Sequence, residues 1–291
     1  MKTRILINIL VLTLTACNFM NENANPKYFF EGDYLPLGKA IYESDAKKLS
    51  ELLEKKRVPL DSIRKGGDTD RPTLLMYAVI LQKQDMVEIL LKHGANPEQF
   101  CLMRHRMKVT NPYTGEEILY YEANPLDWAT SRIDNISKAK KIVGLLIDYG
   151  ADVNGFGIYY DSPLRNALMS HEGLELFDFL LEKGADINAY ADKMGSTALI
   201  IEASGNCSRF IPLLERGADP QIINFAGWDV MRRIEYALPT CPKEKIPFLE
   251  DLKNRLIREY GMIYPPVQDK ERGKAIRDAV YEAKGWAGKV I

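Results

Sequence analysis

The sequence predicts an all-α solenoid of about six helix–turn–helix repeats, with a hairpin-like insertion and a C-terminal helical tail. Two observations carry this. A leucine-rich run ending in Gly-Ala-Asp or Gly-Ala-Asn occurs four times, with its glycines at Gly94, Gly150, Gly184 and Gly217. The glycines are 56, 34 and 33 positions apart, so the first gap is one period of the others plus an insertion. A fixed period of this length means stacked supersecondary units, each too small to bury its own apolar faces.

The first segment stands apart from that pattern. Lys2 and Arg4 precede an apolar run, Ile5 to Thr15, which has the length of a signal-peptide core and is too short for a membrane-spanning helix. It ends in Leu14-Thr15-Ala16-Cys17, which resembles the lipobox of bacterial lipoproteins. The resemblance implies that residues 1–16 are removed and that Cys17 is lipidated; the alternative is an ordinary signal peptide with an incidental cysteine. Losing Lys2 and Arg4 lowers the 39 basic side chains to 37, against 40 acidic ones. In lipoprotein sorting an Asp after the cysteine favours the inner membrane. Asn18 occupies that place, which points to the outer membrane, with the chain facing the periplasm. Residues 17–33 are expected to be the lipidated tether, its polar part running from Asn18 to Lys27.

The repeats themselves follow. The four runs are Ile89 to Asn96, Leu145 to Asp152, Leu180 to Asp186 and Leu213 to Asp219. Upstream of them lie Thr73-Leu74-Leu75-Met76-Tyr77-Ala78, Asn124-Pro125-Leu126-Asp127-Trp128-Ala129, Ser162-Pro163-Leu164-Arg165-Asn166-Ala167 and Thr197-Ala198-Leu199-Ile200-Ile201-Glu202. Ser, Thr or Asn before a helix accepts hydrogen bonds from its free N–H groups, and Pro suits the first helical position. Gly after the second helix takes the left-handed conformation that ends it, and the Asp or Asn that follows opens a turn. These segments resemble the Thr-Pro-Leu-His-x-Ala and Gly-Ala-Asp signatures of the ankyrin repeat, although none has the His and only two have the Pro. Weaker flanking repeats are expected around Leu35 to Lys55 and from Gly227 to Glu259, so that six repeats cover residues 34–261.

Beyond Gly261, in the segment 262–291, Tyr264-Pro265-Pro266 breaks the pattern. Asp269 to Lys284 then reads as a helix with Ala275, Ile276, Ala279, Val280 and Ala283 on one side. It docks on the last repeat or contacts a partner; docking is the expectation, because an exposed apolar stripe is a liability.

The composition is ordinary for a globular chain, with 46% hydrophobic and 27% charged residues, and the net charge of −1 is not gathered into the basic stripe that nucleic acid requires. The chain carries no nucleophile elbow, zinc-protease or Cys-x-x-Cys motif and no phosphate-cradling glycine loop, so neither an enzyme nor a cofactor or metal is expected. His93, His105 and His171 lack carboxylates or thiols at ligand spacing, and the aspartates after Gly-Ala read as turn residues. An oxidising periplasm allows one disulfide among Cys101, Cys207 and Cys241. Cys207 and Cys241 are 34 positions apart, in equivalent loops of adjacent repeats, and are the expected pair; two free thiols are the alternative.

The insertion, residues 99–123, holds two expected strands, Leu102 to Thr110 and Glu116 to Tyr121, around Asn111-Pro112-Tyr113-Thr114-Gly115. In ankyrin arrays the loops between repeats form fingers along one edge. The insertion would lengthen one finger and present Arg104, Arg106, Tyr113, Tyr120 and Tyr121. Later fingers carry Phe156, Tyr159 and Tyr160, then Tyr190 and Met194, then Phe225 and Trp228, of which Trp228 is the one expected to be buried. Arg and aromatic residues in series are the usual hot-spot types of protein interfaces, and about half of these are expected to pack on the array instead. The ankyrin resemblance implies a protein partner for a chain that is monomeric when unbound. Ankyrin-type lipoproteins include antidotes to phospholipase-type toxins delivered by secretion systems such as type VI, so an immunity protein that occludes a toxin is the first expectation. A periplasmic scaffold or regulator of an endogenous envelope protein is the alternative.

Overall fold

The structure, a computed structural model, describes residues 24–55, 57–63, 70–110, 117–132, 135–156, 161–170, 173–203 and 208–286, with the side chains of 104–110, 117–120 and 173 excepted. Cys17 and the leader therefore lie outside the described residues. In chain order the described residues form α1 (Tyr34–Glu43), α2 (Ala46–Lys55), α3 (Leu74–Ile80), α4 (Gln84–Lys92), β1 (Cys101–Thr110), β2 (Glu117–Ala123), α5 (Pro125–Ser131), α6 (Ile136–Asp148), α7 (Pro163–Met169), α8 (Gly173–Glu182), α9 (Ala198–Glu202), α10 (Phe210–Glu215), α11 (Val230–Ala237), α12 (Ile246–Tyr260) and α13 (Lys270–Ala283). The first twelve helices make six pairs. None of the described helices is long and apolar enough to cross a membrane.

The first helix of each of the last five pairs is started by a residue in extended conformation whose side chain accepts from the backbone N–H three positions on. The caps are Thr73, Asn124, Ser162, Thr197 and Asp229. The Asn124 and Asp229 bonds are the shortest, at 2.7 and 2.8 Å. Each such cap contributes about 1 kcal/mol. The second helices end alike. Gly94, Gly150, Gly184 and Gly217 all have φ between 88° and 101°. The N–H of the following alanine then reaches back to Leu90, Leu146, Leu180 and Leu213 respectively, at 2.9 to 3.1 Å. Only glycine enters this left-handed region without strain, which is why the motif repeats with the fold.

The Asp or Asn after Gly-Ala ties one repeat to the one before. The backbone N–H of Asn96 donates to Asp61 (2.8 Å), that of Asp152 to Glu98 (3.0 Å), that of Asp186 to Asn154 (2.8 Å) and that of Asp219 to Asn188 (2.8 Å). The side chains of Asn96, Asp186 and Asp219 in turn accept from the N–H two positions on, in Glu98, Asn188 and Gln221. The turn residue orients the next acceptor, and the acceptor holds the next repeat.

The chain divides into two compact units, Met1–Asp152 and Val153–Ile291, each with three helical pairs. In the first unit α3 packs between α1 and α5, and α4 between α2 and α6. Its core includes Leu37, Ile41, Leu75, Met76, Tyr77, Leu90, Val143 and Leu146. In the second unit α9 packs between α7 and α11, around Leu168, Phe177, Leu180, Phe210, Leu213, Met231 and Ile234. Arg209 donates to the carbonyls of Leu168 and Ser170, and Arg216 forks onto Asp178. Burying each large apolar side chain contributes about 1.5–3 kcal/mol, so these faces outweigh any single polar bond.

Part of the segment expected to be tether is folded instead. From Ala24 onward the chain is packed on the first unit. Asn25 caps a single 3-10 turn, Pro26–Tyr28, and Phe29 and Phe30 are buried against Tyr77, whose hydroxyl donates to the carbonyl of Ala24. Two adjacent phenylalanines outweigh the polar residues around them once an apolar slot is available. Gly38 makes that slot, because a Cβ there would meet the Phe30 ring.

Replacing Asn188 by Ala, which removes the acceptor for Asp219, should lower unfolding stability by about 1 kcal/mol, and Asn188→Asp should not. Urea titration followed by circular dichroism measures both, and equal midpoints for wild type and N188A would show that the bond contributes nothing.

Candidate protein-binding surfaces

In the first unit the insertion is the antiparallel pair β1–β2. Its base is fastened at several points. Cys101 pairs with Ala123, Leu102 with Glu122, Met103 with Tyr121 and Arg104 with Tyr120; the register is irregular between Arg104 and Val109, then resumes with Val109 opposite Ile118. Arg71 forms one more bridge to Leu102, with its N–H donating to the Leu102 carbonyl at 2.7 Å. Cys101, Met103 and Ala123 form a buried cluster with Met76 of α3, and Ile80, Tyr121 and Trp128 pack around it. The Thr73 N–H donates to the Cys101 sulfur at 3.3 Å. Burial pushes this thiol up to about 11. A raised value means that its contribution to stability is full below the ordinary 9.0 and is lost as pH rises through about 11. Arg132 lies over the Trp128 ring at 4.2 Å.

The expected contact residues of this finger separate accordingly. Arg104, Arg106 and Tyr120 lie on the paired strands, with Arg104 and Tyr120 directly opposite. Tyr121 is half-buried in the cluster and supports the hairpin. Tyr113 lies outside the described residues.

In the second unit the fingers are tied to one another through the backbone. The Ser162 N–H donates to the carbonyl of Ala191, and that of Phe225 to Met194, at 2.9 and 3.0 Å. Asp192 turns the middle finger by accepting from the N–H groups of Met194 and Ser196. Asn224 turns the last by accepting from Ala226 and Trp228. Gly195 has φ +67° and lies under the Phe225 ring, where a side chain would not fit.

This edge is not open. The tail helix α13 lies on it. The Gln268 side chain donates to the Ala226 carbonyl (2.7 Å) and the Asp269 N–H to the Gly227 carbonyl (3.1 Å). Gly273 then crosses Gly227 so closely that a Cβ on either would overlap the other segment's backbone. Further along, Tyr281 meets Phe225 edge-on at 5.8 Å, and Trp286 meets Phe156 at 5.7 Å. Tyr190 and Phe225 stack at 5.3 Å, Tyr281 and Trp286 at 5.7 Å, so five rings form one run. The Lys284 ammonium sits 4.4 Å from the centre of the Phe156 ring and donates to the Phe156 carbonyl. Burial raises the Tyr190 and Tyr281 phenols above their ordinary values.

Several expectations change. Phe156, expected to face a partner, is 5% exposed beneath the tail, and Phe225 is buried as well. Tyr190 is half-buried in the ring run, while Met194 is 53% exposed. Tyr159 and Tyr160 lie outside the described residues. Trp228 is half-buried rather than buried, stacked on Tyr236 with Arg232 and Arg233 beside it. The tail helix docks, but on the fingers and through a face centred on Gly273 rather than on the alanines. Ala275, Ala279 and Ala283 are exposed, and Ile276 and Val280 are half-buried. Gly273, Tyr281, Lys284 and Trp286 make the contact, and the sequence reading missed all four. Their spacing over three helical turns was available, but counting apolar residues favoured alanines over a glycine and an aromatic. The bridge expected between Cys207 and Cys241 falls partly on Cys207, outside the described residues; Cys241 has a free thiol just after the turn Leu238–Thr240. His93 is exposed and caps α4 through the Ile89 carbonyl.

Known proteins place this architecture. Residues 72–100 match the family model of the ankyrin repeat. The chain is 28% identical over 225 residues to human "Ankyrin repeat and SOCS box protein 6", covering 74% of this chain and 46% of that protein. The protein of the same name from Pongo abelii matches to the same extent. This chain thus spans less than half the length of these curated relatives. Among solved structures, the crystal structure of EF0377, an ankyrin repeat protein, superposes with a TM-score of 0.51 at 20% identity, over 79% of this chain and 99% of that one. The fold is the all-α ankyrin-repeat fold. Ankyrin repeats are a protein–protein interaction module, generally a non-enzymatic binding scaffold.

Cys101 of the native chain should resist iodoacetamide at about pH 8 and react once the chain is unfolded in urea, because a buried thiol offers almost no thiolate. Peptide mass spectrometry distinguishes the two, and rapid modification of the native chain would show that the hairpin base is open.

Proposed function

We propose that this chain is a lipid-anchored periplasmic immunity protein, which neutralises a secreted phospholipase-type toxin by covering it with the β1–β2 finger of the first unit. The observation that carries the reading is the hairpin itself. The repeat frame does not need it, since Asp152 still bonds Glu98 across 54 positions with the insertion between them. Its base is nevertheless fixed by the Arg71–Leu102 bridge and the buried Cys101–Met103–Ala123 cluster. A finger held rigidly at its root loses little conformational entropy on binding, which favours affinity. Arg104, Arg106, Tyr113 and Tyr120 are the contact residues of this reading, of the types that dominate interface energetics, and Tyr121 supports them from the cluster. The anchor rests on the lipobox-like Leu14 to Cys17, and Asn18 favours the outer membrane. Anchoring would hold the antidote beside the membrane that such a toxin attacks.

The test joins the chain with the toxin gene nearest its own. Co-expression should restore growth, and the two proteins should co-purify. Replacing Arg104, Tyr113 and Tyr120 together by Ala should weaken binding by at least about tenfold, the loss of one or two hot-spot residues, while the unfolding midpoint falls only modestly. Full protection by the triple variant would remove the finger from the mechanism. Hydrolysis of lipid by the purified chain alone would refute the reading.

A further inference from the structure

The tail helix shows what the finger edge of the second unit accepts. Along that edge the carbonyls of Phe156, Lys193, Ala226 and Gly227 face α13 and its flanks. They take hydrogen bonds from Lys284, the Tyr281 hydroxyl (3.5 Å), Gln268 and the Asp269 N–H respectively. Between the carbonyls lie the rings of Phe156, Tyr190 and Phe225. Acceptors and aromatic faces together select a ligand rich in donors, with a cation and rings of its own. Gly227 adds a steric rule, because only a residue without a side chain crosses it at this distance.

The occupant is covered on one side only. Of its fourteen residues only Gly273 is buried. Lys274, Ala275, Asp278, Ala279, Glu282 and Ala283 are exposed. Its ends and its surface pair are served by its own sequence: Asp269 caps the Arg272 N–H (3.0 Å), Lys274 pairs with Asp278 four positions on (2.5 Å), and Gly285 ends it at φ +66°. Beneath it, in contrast, lie the phenylalanines that are among the most deeply buried rings of this edge.

We propose that the finger edge of the second unit is a receptor site for a lysine- and aromatic-bearing helix. In this chain α13 fills it, and a partner helix of the same kind displaces α13. The matching helix carries glycine at the Gly227 crossing, an aromatic residue eight positions later, as in Gly273 and Tyr281, and lysine eleven positions later, as in Lys284. This surface is built by residues of the second unit, and the β1–β2 finger by residues of the first. It rests on the chain's being a protein-binding module and not on any toxin, so the test below can fail while the immunity reading stands, and the reverse.

The probe is a fluorescein-labelled synthetic peptide of residues 266–286, titrated by anisotropy into the full chain. Wild type should bind it weakly, because its own segment competes at an effective concentration on the order of millimolar. Gly273→Val, whose helix cannot cross Gly227, should bind it about tenfold or more tightly. So should the double variant Tyr281→Ala with Trp286→Ala, which introduces no clash and covers the case in which Gly273→Val fails to fold. A peptide that itself carries Gly273→Val should bind none of them. The proposal is overturned if a folded variant gains no affinity, if the altered peptide binds as well as the native one, or if both variants lose the cooperative unfolding transition. That last result would make α13 part of the core rather than an exchangeable ligand.

Discussion

The structure depends on four backbone bonds, each made at the end of a Gly-Ala turn to a side chain 31 to 54 positions earlier. At the end of every Gly-Ala turn the next backbone N–H is held by a side chain from the preceding turn: Asn96 by Asp61, Asp152 by Glu98, Asp186 by Asn154 and Asp219 by Asn188. A helical pair this short leaves its apolar faces open unless a neighbour covers them. The polar bond contributes only about 1 kcal/mol, far less than the burial of Leu90 or Leu213. Its importance is geometric. It fixes the spacing at which those leucines meet their neighbours, and a mismatched stack would lose many contacts at once. The insertion shows the rule from the other side, since twenty-odd extra residues leave the Glu98–Asp152 bond intact and must therefore be extruded as a finger.

The two units use their finger edges differently. The first extends an edge into a hairpin whose root is core. The second closes its edge with its own tail. The closing contact relies on two glycines, Gly227 and Gly273, whose missing side chains let a loop and a helix approach to backbone distance. That approach brings Tyr281 and Trp286 over Phe225 and Phe156, and each edge-on ring pair is worth about 0.5–1.5 kcal/mol beyond the area it buries. Aromatic residues in series on a finger edge are thus an interface here too, but one made within the chain.

What could be read from the sequence follows the range of the interaction. The caps at Thr73, Asn124, Ser162 and Thr197 and the glycines at 94, 150, 184 and 217 act within a few residues of themselves, so the repeats were visible without a structure. The two strands of the insertion were visible too, because their residue pattern is local. The side chains that answer Asn96, Asp152, Asp186 and Asp219 sit about one repeat or more away, and only their backbone half was legible. Phe29 and Phe30 look like tether by sequence because nothing nearby announces the slot that Gly38 leaves beside Tyr77. The docking face of α13 was misread for the same reason. Its partner, Gly227, is 46 positions from Gly273, and alanines on a helix look apolar whether or not anything covers them.

Under the proposed function, partners meet the first unit at its hairpin and leave the outward side of the tail helix free. A photoactivatable residue placed at Tyr120 of β2, and separately at Ala275 on the exposed side of α13, tests it directly in the native cell. A hairpin contact gives a protein cross-link from position 120 and none from position 275. A cross-link from position 275 with none from position 120 would contradict it.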